Sequence, residues 1–171
     1  MSIATLPPLL EGIWISVREA LSTQVKKMTD GDYKLLFVVY ERDVSNSIYA
    51  QASISDEDSY IIEIESNAFL EEKLSDRETQ ILRVLGWQLP NTSNPNFWRE
   101  CPSSWSHDLV ALTILQALIR IGRLHPNSWF SFGSDPLGGQ IAKSGAFWVS
   151  SDGRGLLCLR GSNPSLAGPI K

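Results

Sequence analysis

The stretch GSDPLGGQIAKSG, residues 133–145, ends in Lys143-Ser144 after several glycines and invites comparison with a phosphate-binding loop. Such a loop needs a glycine directly before the lysine and another five residues earlier, so that backbone amides surround the phosphates. Those positions hold Ala142 and Leu137, so no nucleotide site is expected there. His107 and His125 are the only histidines, and neither lies in a spacing that brings two nitrogens to one metal. Both are expected as local capping or surface residues beside helix ends. Cys101 and Cys158 match no metal or redox spacing. They are expected as free thiols in a reducing cytoplasm, with an isolated disulfide as the alternative. No GxSxG elbow supports a nucleophile triad, and the serines at 103, 104 and 106 are better explained as competitors to cap the helix that follows. No metal, cofactor or catalytic residue is therefore expected, and the chain is read as non-enzymatic.

The acids and aromatics remain. Glu63 and Glu65 share one face of a strand, where they either present a negative stripe to a basic peptide or form only its solvated side. The acids at 56–58 read as a turn. Of six tryptophans, Trp14 falls on the inner face of a helix. Trp87, Trp98, Trp105, Trp129 and Trp148 lie at element ends or in connections, as core lids or as rigid contact groups of a recognition surface. The bend LGWQLPN, residues 85–91, reads as a helix stop: Leu85 last in the helix, Gly86 left-handed, the Trp87 amide bonded back to the Leu82 carbonyl, and Pro90 barring resumption.

These residues must be positioned by elements that the pattern makes visible. Apolar residues at 10, 13, 14, 17, 21 and 25 lie on one face of a first helix over about residues 9–28. KLLFVVYE, residues 34–41, is a nearly continuous apolar run and predicts a central strand covered on both faces. SIYAQASIS, residues 47–55, alternates Ile48, Ala50, Ala52 and Ile54 against Tyr49, Gln51 and Ser53, a strand with one wet face. YIIEIES, residues 60–66, sets Ile61, Glu63 and Glu65 opposite Tyr60, Ile62 and Ile64. Short connectors make these three an antiparallel meander. LSDRETQILRVL opens a second helix with a capping box of Ser75 and Glu78. A loop rich in Asn, Pro and Trp follows, then a mostly apolar third helix over about 106–121, ended by Gly122. SWFSF offers a further strand, and AFWVSSDGRGLLCLRG has the form of a hairpin around Ser-Asp-Gly. The last residues read as a loose tail.

The chain's 171 residues fit one domain. A net charge of −4 provides no basic face to neutralise phosphates, so nucleic acid is not an expected partner. No apolar run reaches the roughly 18 residues of a membrane span. The start, MSIATLPPLLEG, lacks a positive n-region, so neither signal peptide nor anchor is expected.

Three stretches carry a resemblance: LSDRETQILRVLGWQLP (74–90), NFWRE (96–100) and GRLHP (122–126). Following a helix and a three-strand meander, they resemble the TY-Chap group of actinobacterial proteins, within the wider YbjN-like and type III secretion chaperone-like superfamily. The likeness covers about residues 8–133. It implies a compact α+β domain, a curved antiparallel sheet built from the three-strand meander plus C-terminal strands, with about three helices packed on it. Residues 1–133 form the family domain. Residues 134–171 form a C-terminal extension with a hairpin, packed on the same domain, which has no counterpart in the family pattern. The resemblance further implies a cytoplasmic bacterial protein that holds an extended segment of a protein or peptide client, with the homodimer common among secretion chaperones. The expected contact residues are Tyr49, Gln51, Glu63, Glu65, Phe97, Trp98, Trp129 and Trp148. The alternative is an immunity-like or regulatory protein that caps a single partner through an acidic face.

Overall fold

The structure, a computed structural model, describes residues 8–31, 34–40, 47–124, 128–135, 147–150 and 155–157; for residues 8–16, 40, 129–131, 133–135, 147–150 and 155–157 it describes the backbone course alone. The expectations about His125, Cys158, the glycine-rich connection, the Ser-Asp-Gly turn and the tail fall outside the described residues, as does the side chain of Trp14.

Helix α1 spans Pro8–Gly31. Val17, Leu21, Val25 and Met28, spaced by three and four, are all buried to 1% exposure or less. That spacing gathers them on one stripe, which lies along strands of the sheet and against the third helix. Strands β1 (Lys34–Tyr40), β2 (Ser47–Ile54) and β3 (Tyr60–Ile64) pair antiparallel in sequence order, as the short connectors require.

Helix α2, Asp76–Val84, starts with the predicted capping box: Ser75 Oγ accepts the Glu78 amide, and the Glu78 carboxylate accepts the Ser75 amide at 2.7 Å. It ends on Gly86, at φ +89°. The Trp87 amide donates to the Leu82 carbonyl and the Gly86 amide to the Arg83 carbonyl, both at 3.0 Å, the two bonds of a Schellman motif. Helix α3, His107–Arg120, is capped by Ser106, whose hydroxyl accepts the Leu109 amide at 3.1 Å. It ends the same way at Gly122, with Arg123 bonded to the Leu118 carbonyl. Ser106 rather than His107 performs the capping. Arg123, 6% exposed, donates to Glu78 Oε1 at 3.0 Å and to the Lys73 carbonyl at 3.1 Å, so it ties the end of α3 to the start of α2.

NFWRE, read as loop, forms strand β4 (Phe97–Cys101), paired antiparallel with β3. Its short alternation was hidden by the Asn and Pro residues that precede it. On the other side of β1 lies β5 (Trp129–Asp135), followed by β6 (Phe147–Ser150) and β7 (Gly155–Leu157), so the expected strand and hairpin both join the sheet. The order is β4-β3-β2-β1-β5-β6-β7, an open sheet with β1 in the middle. β5 runs through residues 133 and 134 without a break.

The core lies between one sheet face and the helices. Register brings Leu35, Phe37 and Val39 level with Ala52, Ala50 and Ile48, and Ala52 and Ala50 level with Ile62 and Ile64. All are buried. Phe37 stacks on Phe132 across the β1–β5 pair, with ring centroids 5.2 Å apart. KLLFVVY was expected to be covered on both faces, but Lys34, Leu36 and Val38 are only half-buried. The described helices cover one face, so the apolar run of β1 alternates between core and open face like its neighbours.

Candidate functional site

Strand alternation delivers the candidate residues to the face away from the helices. In one transverse row, Leu36 of β1 is level with Gln51 of β2, which is level with Glu63 of β3, which is level with Trp98 of β4. In the next, Val38 is level with Tyr49. The Glu65 amide donates to the Tyr49 carbonyl at 3.0 Å, one residue past the end of β3. A third row runs Lys34, Ser53, Ile61, Glu100: β1 starts one residue before the Leu35–Ala52 pair, Ser53 pairs with Ile61, and Ile61 with Glu100. The backbone register sets Trp129 opposite Tyr40, and Trp148 opposite Ser131, itself opposite Val38. Positions 129 and 148 therefore belong to the same face, although their side chains lie outside the described residues. Seven of the eight expected residues are thus brought to one side of the sheet.

Phe97 is the exception and is corrected. It is level with Ile64 on the helix side and 3% exposed, so it belongs to the core and is not open to a ligand. Alternation explains this: in a strand that places Trp98 outward, its neighbours must face inward.

The acids also differ from the expected solvated stripe. Glu63 is 8% and Glu65 9% exposed. Glu63 accepts a hydrogen bond from Gln51 Nε2 and lies 3.7 Å from the Lys34 ammonium. Glu65 accepts the Tyr49 amide at 3.1 Å, and burial pushes its carboxyl above the usual range against that bond. Burial likewise raises the Tyr49 phenol, which donates to Asn96 Oδ1 at 3.4 Å, while Glu65 and Glu63 add to the rise. Tyr49, Gln51 and Trp98 are half-buried. The result is a patch of aromatic, amide and aliphatic surface with carboxylates sunk between, a mixture suited to contact and hydrogen bonding.

The patch ends at β4, whose outer edge is covered at one point. Gln88 and Trp98 exchange amide and carbonyl bonds at 2.7 and 3.2 Å. The Trp98 indole N–H is buried and has no acceptor among the described residues, a state that costs about 1–3 kcal/mol for a polar group. Beyond that edge a cavity of about 480 Å³ opens against the bend 86–91. Trp87 is 3% exposed and part of the core, as a lid should be.

Sequence reasoning missed Leu36, Val38, Ile61 and Asn96 on this face. Leu36 and Val38 carried no signal, because a continuous apolar run does not reveal which face is left open. Ile61 was assigned to the right side of its strand but not weighed as a contact. Asn96 becomes visible only when the phenol of Tyr49 is brought to it.

Cys101 is a free thiol on the helix side, and burial pushes it up to about 11, with Arg99 opposing, so it is inert at neutral pH. Among the described residues no group of His, Cys, Asp and Glu is placed to hold a metal, and no helix is long and apolar enough to cross a membrane.

These features define an α+β domain whose helices seal one face of an antiparallel sheet and leave the other uncovered by any described helix. The chain belongs to the TY-Chap3 family, described as T3SS (YopN, CesT) and YbjN peptide-binding chaperone 3, whose model matches residues 9–128. The match ends before β5, so the three strands on that side of the sheet lie beyond it. No curated protein and no solved structure matches the chain.

Proposed function

We propose that this protein is a non-enzymatic, chaperone-like binding domain that lays an extended segment of a client protein across the open face of its sheet. The observation that carries this reading is the row of Trp98, Gln51 and Leu36 flanking Glu63, next to Tyr49 and Val38, on a face no described helix covers. Apolar client side chains would rest on Leu36, Val38, Tyr49 and Trp98. Gln51, held by the sunken Glu63, would meet its backbone or polar groups, and positions 129 and 148 would lengthen the track beyond β1. Family membership supports the chaperone role.

The protein acts in this reading in a bacterial cytoplasm, alone or as a homodimer. In this reading the part 134–171 is an extension of the domain, and its described strands β6 and β7 lengthen the sheet beside β5. The rival reading, a regulatory protein that caps one partner through an acidic face, is weakened because Glu63 and Glu65 are sunk and bonded rather than exposed.

The test is a titration of N-acetylated, C-terminally amidated extended peptides of alternating apolar and polar residues, followed by tryptophan fluorescence and calorimetry. Wild type should bind, and Trp98→Ala should weaken binding about ten-fold, as expected for a central aromatic contact. The absence of any peptide response in the wild type would refute the reading. Binding to a single stoichiometric protein, strongly weakened by salt and unaffected by Trp98→Ala, would favour the rival.

A further inference from the structure

We infer that the notch beside the end of α2 is a second subsite, which binds a carboxylate carried by the client segment; this rests on the peptide-binding reading of the sheet. The notch holds about 480 Å³ and is lined by Arg83 and the bend 86–91, none of it acidic. A protein with net charge −4 has here a concave surface whose only charged lining group is a guanidinium. Arg83 is exposed and makes no ion pair with a described acid, so its planar fork is free to take a carboxylate with two bonds.

The lining also holds the side-chain amides of Gln88 and Asn91. Asn91 Oδ1 accepts the amides of Ser93 and Asn94 at 2.9 and 2.8 Å, which fixes its carbonyl toward its own turn and leaves its amide N–H groups to donate. An incoming carboxylate therefore meets the Arg83 guanidinium and the Asn91 amide, with no lining acid to repel it.

The end of a helix would ordinarily disfavour an anion. Here its carbonyls are largely engaged. The Schellman bonds take those of Leu82 and Arg83, and Arg99 Nη1 donates to that of Leu85 at 2.8 Å. Arg99 Nη1 also lies 3.5 Å from where a β-carbon at Gly86 would sit, so a second guanidinium adjoins the bend.

Continuity with the sheet selects a client over a free anion. Gln88 lines the notch and bonds to the backbone of Trp98, the last residue of the open-face row. A segment crossing that row from β1 toward β4 would reach Gln88, and with it the rim of the notch. Leu89, a lining residue 44% exposed, offers apolar surface for the residue that precedes the carboxylate. The bend read from sequence as only a helix stop is thus also the wall of a site.

One experiment separates this from the reading it rests on. An N-acetylated hexapeptide of alternating valine and serine ending in leucine is made as the free acid, as the amide, and as the amide with aspartate replacing the last serine. Each is titrated by calorimetry into the full chain and into Arg83→Gln, an exposed substitution that leaves the core untouched. The free acid is expected to bind wild type at least ten-fold more tightly than the amide, and Arg83→Gln to erase the difference while leaving the amide's affinity unchanged. If the aspartate peptide matches the free acid, a side-chain carboxylate serves as well as a terminal one, and the subsite stands. Equal binding of all three to wild type overturns the subsite and leaves the sheet reading intact. Binding by none overturns both.

Discussion

The two faces of the sheet are woven from the same strands and alternate residue by residue, yet they are built to different standards. On the helix side Leu35, Phe37, Val39, Ile48, Ala50, Ala52, Ile62 and Ile64 are each no more than 2% exposed. One residue along, Leu36, Val38, Tyr49, Gln51, Ser53 and Ile61 are half-buried, and among them lie two carboxylates. The first face holds apolar groups of complementary size in close packing, which is where folding free energy comes from. The second holds apolar surface that folding leaves in contact with water, together with polar groups held in place by neighbours. Apolar area not consumed by folding is available to association. The difference places stability on one side and leaves the other for the recognition proposed above.

The largest test of that division is a paired truncation. Phe37→Ala removes a ring that is 1% exposed and stacked on Phe132, and should cost about 3–5 kcal/mol in urea or guanidinium unfolding. Val38→Ala, one residue away on the open face, should cost under about 1 kcal/mol in the same measurement. Comparable losses would show that the open face is a second core and would break the comparison.

Next comes a polar intrusion on the sealed side. Arg99 is level with Ile62, yet it carries a charge among core residues. Its guanidinium donates to the Leu85 carbonyl and lies over the Trp105 ring, 5.3 Å from the centroid. Arg99→Met keeps much of the aliphatic bulk and removes both contacts. About 1.5–3 kcal/mol should be lost, the range for a hydrogen bond from a charged donor. A loss no larger than that of Val38→Ala would mean that α2 does not need this support at its end.

Smaller again is the pair of helix stops that border the sealed side. Gly86 and Gly122 have φ of +89° and +74°, where an L side chain is strained. A β-carbon at 86 would only touch Arg99 at ordinary contact distance, and one at 122 would touch nothing within 4 Å. Both Gly→Ala changes should therefore cost the backbone term alone, roughly 1 kcal/mol each. A much larger loss at Gly86, measured by thermal unfolding, would show that the Arg99 contact matters more than the backbone.

What was legible in the sequence follows the same division. The sealed face was readable because burial leaves a periodic mark: Ile48, Ala50 and Ala52 alternate, and Val17, Leu21 and Val25 recur at helical spacing. The caps were readable because Ser75, Glu78, Gly86 and Gly122 each satisfy a local need within a few residues. The open face was legible only in part. Alternation put Tyr49, Gln51, Glu63 and Glu65 on a common side, but the depth of the two acids depends on partners brought in from other strands. β4 was missed because its five residues are few and follow a turn-forming run, and with it the inward turn of Phe97. The bonds of Arg123 to Glu78 and Lys73, about fifty residues away in the chain, have no local signature.

The smallest effect concerns Glu65, where the two faces differ in how they treat charge. Burial raises its folded carboxyl above the ordinary value of 4.5, so between that value and the folded one the native state binds more protons than the unfolded chain. Stability must then fall as pH rises through that window, and level off above it. Glu78, on the other side of the molecule, has the opposite sign. Burial pushes it up, but bonds from Ser75 and Arg123 outweigh this and hold it below the ordinary value, so its contribution is present above about 4.5 and lost as pH drops further. The two do not overlap, and the window above 4.5 reports on Glu65. Glu65→Gln keeps an oxygen to accept the Tyr49 amide and removes the charge. Urea unfolding at pH 4.5, 5.5 and 7 should show wild type losing ground to this variant as pH rises, with little difference at the lowest value. If wild type instead gains on the variant toward neutrality, the carboxylate is stabilised as an anion by a cation of its own, and the open face is a charge-paired surface.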